Sequence, residues 1–353
     1  MVTHMLEIFG TLGPACQSPD VLEKMFLEGM TGIRLNMSHS GLKNSEKLLE
    51  HYRLAARRAN ISPELLIDLQ GPEIRVGLLD QPFVLEKAAS VCLRSQETLA
   101  QAGSFSPAPQ GISAQIPVPG HILPALEPGD HLLLDDGKLE LAIHSLSPFV
   151  TATVLRGGTL RSKKSLKIVG KSPAAPALTC QDRENIRLAK DYGVTALMQP
   201  FVTRGEELLE VRKELSKNHM EHTRIFAKIE NKEGIQNIRE ILPYADYIVI
   251  ARGDLGNDMP LWQLPAAQKE LSEICRAEKK PFLAVTQMLA SMAESPIPTR
   301  AEVSDIFHAV VDGADAVMAT NETAVGKYPA EVIRYLAKTA EEGLKWRERQ
   351  WKL

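Results

Sequence analysis

Ile225-Phe-Ala-Lys-Ile-Glu-Asn231 is the stretch on which the reading of this chain turns. It begins as a run of strand-forming apolar residues and ends abruptly in charge, the pattern of a buried barrel strand emerging at an active-site face. In an extended strand, residues two apart point the same way, so Lys228 and Glu230 project side by side. A second stretch of the same kind, Ile248-Val-Ile-Ala-Arg-Gly-Asp-Leu-Gly256, ends in another carboxylate, Asp254. Two carboxylates on neighbouring strand ends beside a lysine suit a hard divalent cation, with coordination positions left for a phosphorylated substrate. The competing reading is a structural ion pair, but burying Lys228 and Glu230 without a function is energetically expensive.

Working outward from these two strands, helix and strand alternate in both directions. Leu6–Gly13 reads as a first strand, and Ser18 followed by Pro19 starts a helix that runs to Gly29. In the second strand, Gly32–Ser38, strict alternation puts Arg34, Asn36 and Ser38 on one face and Ile33, Leu35 and Met37 on the other. A polar inward row is costly unless it meets ligands or partners. A charged helix over 42–60 leads to a third strand, Leu65–Leu69, with Asp68 at its exit.

Residues 75–170 change character, with short apolar runs, prolines and glycines as in Pro107-Ala-Pro109 and Pro117-Val-Pro-Gly120. His131–Leu134 meets Lys138–Ala142 across Asp135-Asp-Gly137, a strong hairpin signal. The basic tail Arg161–Lys167 either turns back to meet phosphates or forms a solvated loop.

After Pro176 the alternation resumes. Thr179 with Asp182 caps a helix, and strands follow at 194–198, 225–230, 246–251, 281–286 and 314–319. Thr299-Arg-Ala-Glu302 is a capping box, and Pro329 opens a last amphipathic helix. Eight strand–helix alternations predict an α/β fold, a (β/α)8 TIM barrel of residues 1–74 and 171–353. A small β-barrel lid domain, residues 75–170, is inserted after the third strand. In such barrels chemistry sits at the carboxyl ends of the strands, where Ser38, Asp68, Glu230, Asp254, Thr286 and Glu322 all fall.

At 353 residues, with 44% hydrophobic and 24% charged residues, the composition is that of an ordinary globular protein. A net charge of −3 gives no indication of nucleic acid or an anionic membrane surface as partner. Cys16, Cys92, Cys180 and Cys275 form no C-x-x-C pair, which points away from zinc and disulfide frameworks and toward a reduced, cytoplasmic setting. The N-terminal residues lack a basic region and a continuous apolar core, so a soluble, unprocessed chain is expected. No G-x-x-x-x-G-K-[ST] pattern is present, so a nucleotide would be held by charged side chains and metal. His219 and His222 read as exposed surface, Cys16 as a packing residue and Asp135-Asp136 as turn residues. Arg252 and Glu322 read as barrel-mouth salt bridges.

With these residues in hand, the chain resembles pyruvate kinase. The carrying motifs are Thr11-Leu-Gly-Pro-Ala15, Arg34-Leu-Asn-Met-Ser-His39, Gly71-Pro-Glu-Ile-Arg75, Asp135-Asp-Gly137 and Ser162-Lys-Lys164, then Lys228-Ile-Glu-Asn231, Ala251-Arg-Gly-Asp-Leu-Gly256, Thr286-Gln-Met-Leu289, Pro298-Thr-Arg-Ala-Glu302 and Glu322-Thr-Ala324. The resemblance implies an enzyme moving phosphate between phosphoenolpyruvate and ADP to give pyruvate and ATP. It assigns catalysis to Lys228, Arg34 and Thr286, Mg²⁺ (or Mn²⁺) to Glu230 and Asp254, and substrate binding to Gly253, Asp254 and Thr286. It further implies a K⁺ site at Asn36, Ser38, Asp68 and Leu69, nucleotide contacts at Arg75 and Lys164, and a homo-oligomer formed through the barrel domain.

Departures from the family pattern are specific. Pro200-Phe-Val-Thr203 replaces Ser-Phe-Val/Ile-Arg, and Asn321 replaces a glycine. Glu73 matches members that require K⁺, whereas Leu69, Gln70 and Val76 match members that do not. The family's C-terminal domain is expected to be absent, which leaves effector control through it unsupported. Two other readings stand beside the first: a related metal-dependent enzyme acting on another phosphorylated or 2-keto acid, and a non-catalytic regulatory protein that binds phosphoenolpyruvate or nucleotide.

Overall fold

A computed structural model describes residues 6–38, 41–101, 110–171, 173 and 175–350. His39 and the run Pro107–Pro109 lie outside the described residues. Two compact units are present. One comprises Met1–Pro72, Pro176–Leu255 and Trp262–Leu353, the other Glu73–Ala175 with Gly256–Leu261.

The first unit is a closed barrel of eight parallel strands. They are β1 (Glu7–Thr11), β2 (Gly32–Asn36), β3 (Glu64–Asp68), β4 (Ala196–Gln199), β5 (Arg224–Ile229), β6 (Tyr247–Ala251), β7 (Phe282–Val285) and β8 (Ala316–Met318). Each pairs with its neighbours in chain order, and β8 closes on β1. This is the (β/α)8 barrel that the alternation predicts.

The two-residue strand period sorts the side chains into layers. Phe9, Leu66, Met198, Phe226, Val249, Leu283 and Met318 share one buried cluster. Phe226 stacks on Tyr247 with ring centroids 4.5 Å apart and meets Phe9 edge-on at 6.1 Å. Gly32 leaves room for this layer, since a Cβ there would stand 2.4 Å from the Phe9 ring. At the amino end of β5, Arg224 pairs with Glu7 and Glu64 and lies over the Phe226 and Tyr247 rings. That end of the barrel is thereby closed by a charged cluster, and the polar inward residues two steps along β3 and β5 are left for the opposite mouth.

The helix starts follow their sequence signals. Ser18 accepts from the Val21 amide at the start of Pro19–Leu27, and Thr179 and Thr299 each form a complete capping box. After β5 the chain forms two short helices, Lys232–Gln236 and Ile238–Ile241. Arg252–Asp258, after β6, is a short helix despite its two glycines. Glycine's poor helix propensity is outweighed there by tertiary placement.

The second unit carries a six-stranded sheet in the order Leu166–Ile168, His131–Leu134, Leu139–Ser145, Val150–Arg156, Ser90–Ser95, Ala114–Val118. Phe83–Leu85 pairs with Gly158–Leu160 in a separate ribbon. The hairpin read at Asp135–Gly137 is present, closed by Leu134 opposite Leu139 and turned by Asp135, Asp136 and Gly137 at φ 50°, 56° and 80°. Gly256–Leu261, remote in sequence, joins this unit. There the Gly170 amide donates to Asp258 at 3.2 Å, and Lys167 lies 3.6 Å from the same buried carboxylate.

No helix among the described residues is long and apolar enough to cross a membrane. Cys16, Cys92 and Cys275 are buried and only Cys180 is exposed. Burial pushes the Cys16 thiol up to about 11 and the Cys275 thiol up to about 12, and raises that of Cys92. Titration of the native protein with a disulfide reagent near neutral pH is therefore expected to register Cys180 alone, with the other three appearing only on unfolding. Rapid native reaction of a second thiol would contradict the buried assignments.

Candidate active site

β2, β3 and β5 bring four charged side chains together at the carboxyl end of the barrel. Asn36 of β2 is in register with Asp68 of β3, and Met198 of β4 lies across from the same aspartate. Asp68 Oδ2 accepts from Arg34 Nε at 2.8 Å and Nη2 at 2.6 Å. The Lys228 ammonium lies 3.5 Å from that same oxygen and 2.9 Å from Glu230 Oε1. Glu230 Oε2 in turn accepts from the Phe201 amide at 2.7 Å. Side-chain exposure is 14% for Arg34, 15% for Lys228, 4% for Asp68 and 1% for Glu230, so the charges meet where water screens them little.

Burial opposes the charge on Lys228, but Asp68 and Glu230 outweigh it and hold the ammonium above its ordinary value. Burial pushes the Glu230 carboxyl upward against the pull of Lys228, and Asp254 pushes it further. Asp254, in the first turn of Arg252–Asp258, thus acts electrostatically on both residues. Among the described residues no three His, Cys, Asp or Glu side chains are grouped to hold a metal.

Asn36 Oδ1 accepts from the Ser38 amide at 3.0 Å, and the Leu69 amide donates to the Met198 carbonyl. Asp68 Oδ1 is buried and accepts no hydrogen bond from the described residues. Such an atom calls for a cation or water partner.

Thr286 follows β7 at φ 82°, and Gln287 after it at φ 55°. Positive φ at a β-branched residue is strained and needs support. Arg252 supplies it, donating to the carbonyls of Val285 (3.2 Å) and Thr286 (2.7 Å) while pairing with Asp305 at 2.7 Å. The strained backbone presents Thr286 to Gly253, where a Cβ would stand 3.0 Å from Thr286 Cγ2. The salt bridge expected for Arg252 is thus present. Among the described residues that expected for Glu322 is not: this buried carboxylate accepts from Thr320 N at 2.7 Å, Thr320 Oγ1 at 3.0 Å and Leu289 N at 3.4 Å, and serves to tie loops together. His219 and His222 are exposed, as expected.

Arg75 and Lys164 belong to the second unit. Arg75 pairs with Glu73 and donates to the Lys163 carbonyl at 2.8 Å, while Lys164 lies 2.8 Å from Asp135. The Lys164 hydrogen bond holds the Asp135 carboxyl below its usual range. Two residues at the mouth escaped sequence reading. Phe201, at φ 56°, contributes only its backbone amide, which a sequence does not mark. Asp182 was legible as a cap, but its further bonds, to the amides of Gln70 and Gly71, join segments far apart in sequence.

Residues 3–333 match the family described as pyruvate kinase, barrel domain. The chain belongs to the pyruvate kinase family. It is 36% identical over 338 residues to a pyruvate kinase of Geobacillus stearothermophilus, covering 95% of this chain and 56% of that protein. A pyruvate kinase of Methylorubrum extorquens is 37% identical over 339 residues (95% and 68%), and one of Aeropyrum pernix 35% over 342 residues (96% and 71%). The chain thus spans little more than half the length of the Geobacillus relative.

Of the departures at Pro200 and Asn321 from the pyruvate kinase pattern, Pro200 has a visible structural consequence. Gly71 sits at φ 60°, and a Cβ there would stand 2.4 Å from Pro200 Cγ, so the proline ring takes the space under the turn that follows β3. Nothing in the structure explains Asn321.

Asp68→Ala would leave Arg34 and Lys228 without their shared carboxylate. The loss of one partner of a buried charge pair is expected to destabilise the chain by about 3–5 kcal/mol, read as a lower midpoint in urea unfolding. An unchanged midpoint would show that the buried cations do not depend on Asp68.

Proposed function

We propose that this chain transfers a phosphoryl group between phosphoenolpyruvate and ADP, yielding pyruvate and ATP, in the cytoplasm. The carrying observation is Lys228, a buried ammonium held 2.9 Å from Glu230 and 3.5 Å from Asp68 at the barrel mouth. The relatives are pyruvate kinases by name, which favours this reading over another acid substrate or a non-catalytic binder.

Phosphoryl transfer spreads negative charge over the equatorial oxygens, so catalysis rests on positioning and cationic stabilisation. Lys228, fixed in advance by two carboxylates, offers a point charge that needs no rearrangement as that charge develops. Arg34, gripped by Asp68 through two of its nitrogens, offers a guanidinium on the neighbouring wall. Thr286 and the backbone at Gly253 and Asp254, packed against it with no side chain at Gly253, form the proposed cradle for the three-carbon acid.

The donor set suits the cations this chemistry uses. Glu230 and Asp254 are hard oxygen ligands for Mg²⁺ or Mn²⁺, which when bound supplies positive charge at phosphoryl oxygens. Asn36, Ser38, Asp68 and the Leu69 carbonyl make an all-oxygen set for K⁺, and the buried, donorless Asp68 Oδ1 supports that use. For Arg75 and Lys164 to hold nucleotide phosphates, each would exchange a carboxylate partner, Glu73 or Asp135, for a phosphate oxygen. Assembly through barrel domains is part of the same proposal, and neither nucleic acid nor membrane is.

A pyruvate-coupled assay of the purified chain and its Lys228→Met variant tests the reading. Metal-dependent turnover is expected for the unaltered chain, reduced roughly 10²–10³-fold by the substitution, as for loss of one preorganised donor. Absence of turnover, or turnover indifferent to the substitution, would refute it.

A further inference from the structure

We infer that Asp182 is a positioning residue for the phosphoryl-transfer site, gripping the exit of β3 so that Asp68 and Leu69 keep their places at the barrel mouth. Its kinetic consequence rests on the proposed function; its geometry does not. Asp182 is fully buried in the first turn of Cys180–Ala189. A capping box asks only for exchange with Thr179. Here Oδ2 accepts from Thr179 N at 3.0 Å and Thr179 Oγ1 at 2.7 Å, and the carboxylate does more. Oδ1 accepts from the Gln70 amide at 2.8 Å and Oδ2 from the Gly71 amide at 3.0 Å, across more than a hundred residues of chain.

The gripped turn is held on its other side as well. Gly71 at φ 60° packs against Pro200, and Pro200 precedes the Phe201 amide that donates to Glu230. Immediately upstream of the turn stand Leu69 and Asp68, the latter holding Arg34 and Lys228. The chain leaves the barrel unit after Pro72 and re-enters it at Pro176, so one carboxylate fastens both passages to the barrel. A turn clamped between a buried carboxylate and a proline ring can hold a neighbouring ligand in place without touching substrate.

The test compares Asp182→Asn, which turns a donor toward the amides it should accept from, with Thr179→Ala, which removes the cap hydroxyl and leaves the grip on the β3 exit. Thermal midpoint, amide hydrogen exchange at Leu69, Gln70 and Gly71, and kcat and KM for phosphoenolpyruvate are measured for both. Both variants are expected to melt earlier. Only Asp182→Asn is expected to speed exchange at the three amides and to lower kcat, by about tenfold or more, as for loss of a supporting partner. Unchanged exchange in Asp182→Asn, or equal losses of kcat in the two variants, would overturn the inference and leave Asp182 a helix cap. If the unaltered chain shows no turnover, the phosphoryl-transfer reading fails on its own. The grip is then judged by exchange at Leu69, faster only in Asp182→Asn if the inference holds and equal in both if it does not. Should Asp182→Asn not fold, Asp182→Glu, which keeps the charge but moves the oxygens by one methylene, is read against the same outcomes.

Discussion

Burying the charge of Lys228 is the constraint on which the barrel mouth depends. A lysine side chain 15% exposed would tend to lose its proton in an apolar wall. Here it stands in a row of alternating sign, Arg34, Asp68, Lys228 and Glu230, in which each member offsets part of its neighbour's desolvation. At Glu230 burial pushes the carboxyl up, and the charge of Asp254 pushes it further. That mutual repulsion is the electrostatic setting on which the proposed divalent-cation site rests.

The fold supplies this row through the two-residue period of its strands. Along β5, Phe226 packs with the aromatic layer, and the next two inward positions, Lys228 and Glu230, reach the mouth. Along β3, Leu66 and then Asp68 follow the same course, and along β2, Gly32 is succeeded by Arg34 and Asn36. An apolar layer below and a charged layer above thus arise from one alternation. Beyond the strand ends the geometry is held by less regular means: the strained Thr286 backbone under Arg252, and the turn at Gln70–Gly71 under Asp182.

Much of this was legible in the sequence because it is periodic. Alternation in Gly32–Ser38 and in Ile225–Asn231 marks the inward polar residues directly, and capping boxes at Thr179 and Thr299 mark helix starts. What was not legible has no local signal. The short helix Arg252–Asp258 carries two glycines, and its last residues join the inserted unit through Asp258. Arg75 and Lys164, which the resemblance assigns to nucleotide phosphates, each pair with a carboxylate in their own unit, Glu73 nearby in sequence and Asp135 at the hairpin turn. Glu322, read as a salt-bridge residue, binds backbone amides and a hydroxyl, a choice set by the loops folded around it.

Whether the carboxylates outweigh desolvation at Lys228 can be observed directly. The ¹H–¹⁵N ammonium resonance of Lys228, assigned by its loss in a Lys228→Met spectrum, can be followed from neutral pH into the alkaline range. A signal that persists, protonated and slow to exchange, beyond the ordinary lysine titration is the predicted result. Deprotonation below the ordinary lysine value would contradict the account, because burial would then have prevailed over Asp68 and Glu230 and no fixed cation would stand at the barrel mouth.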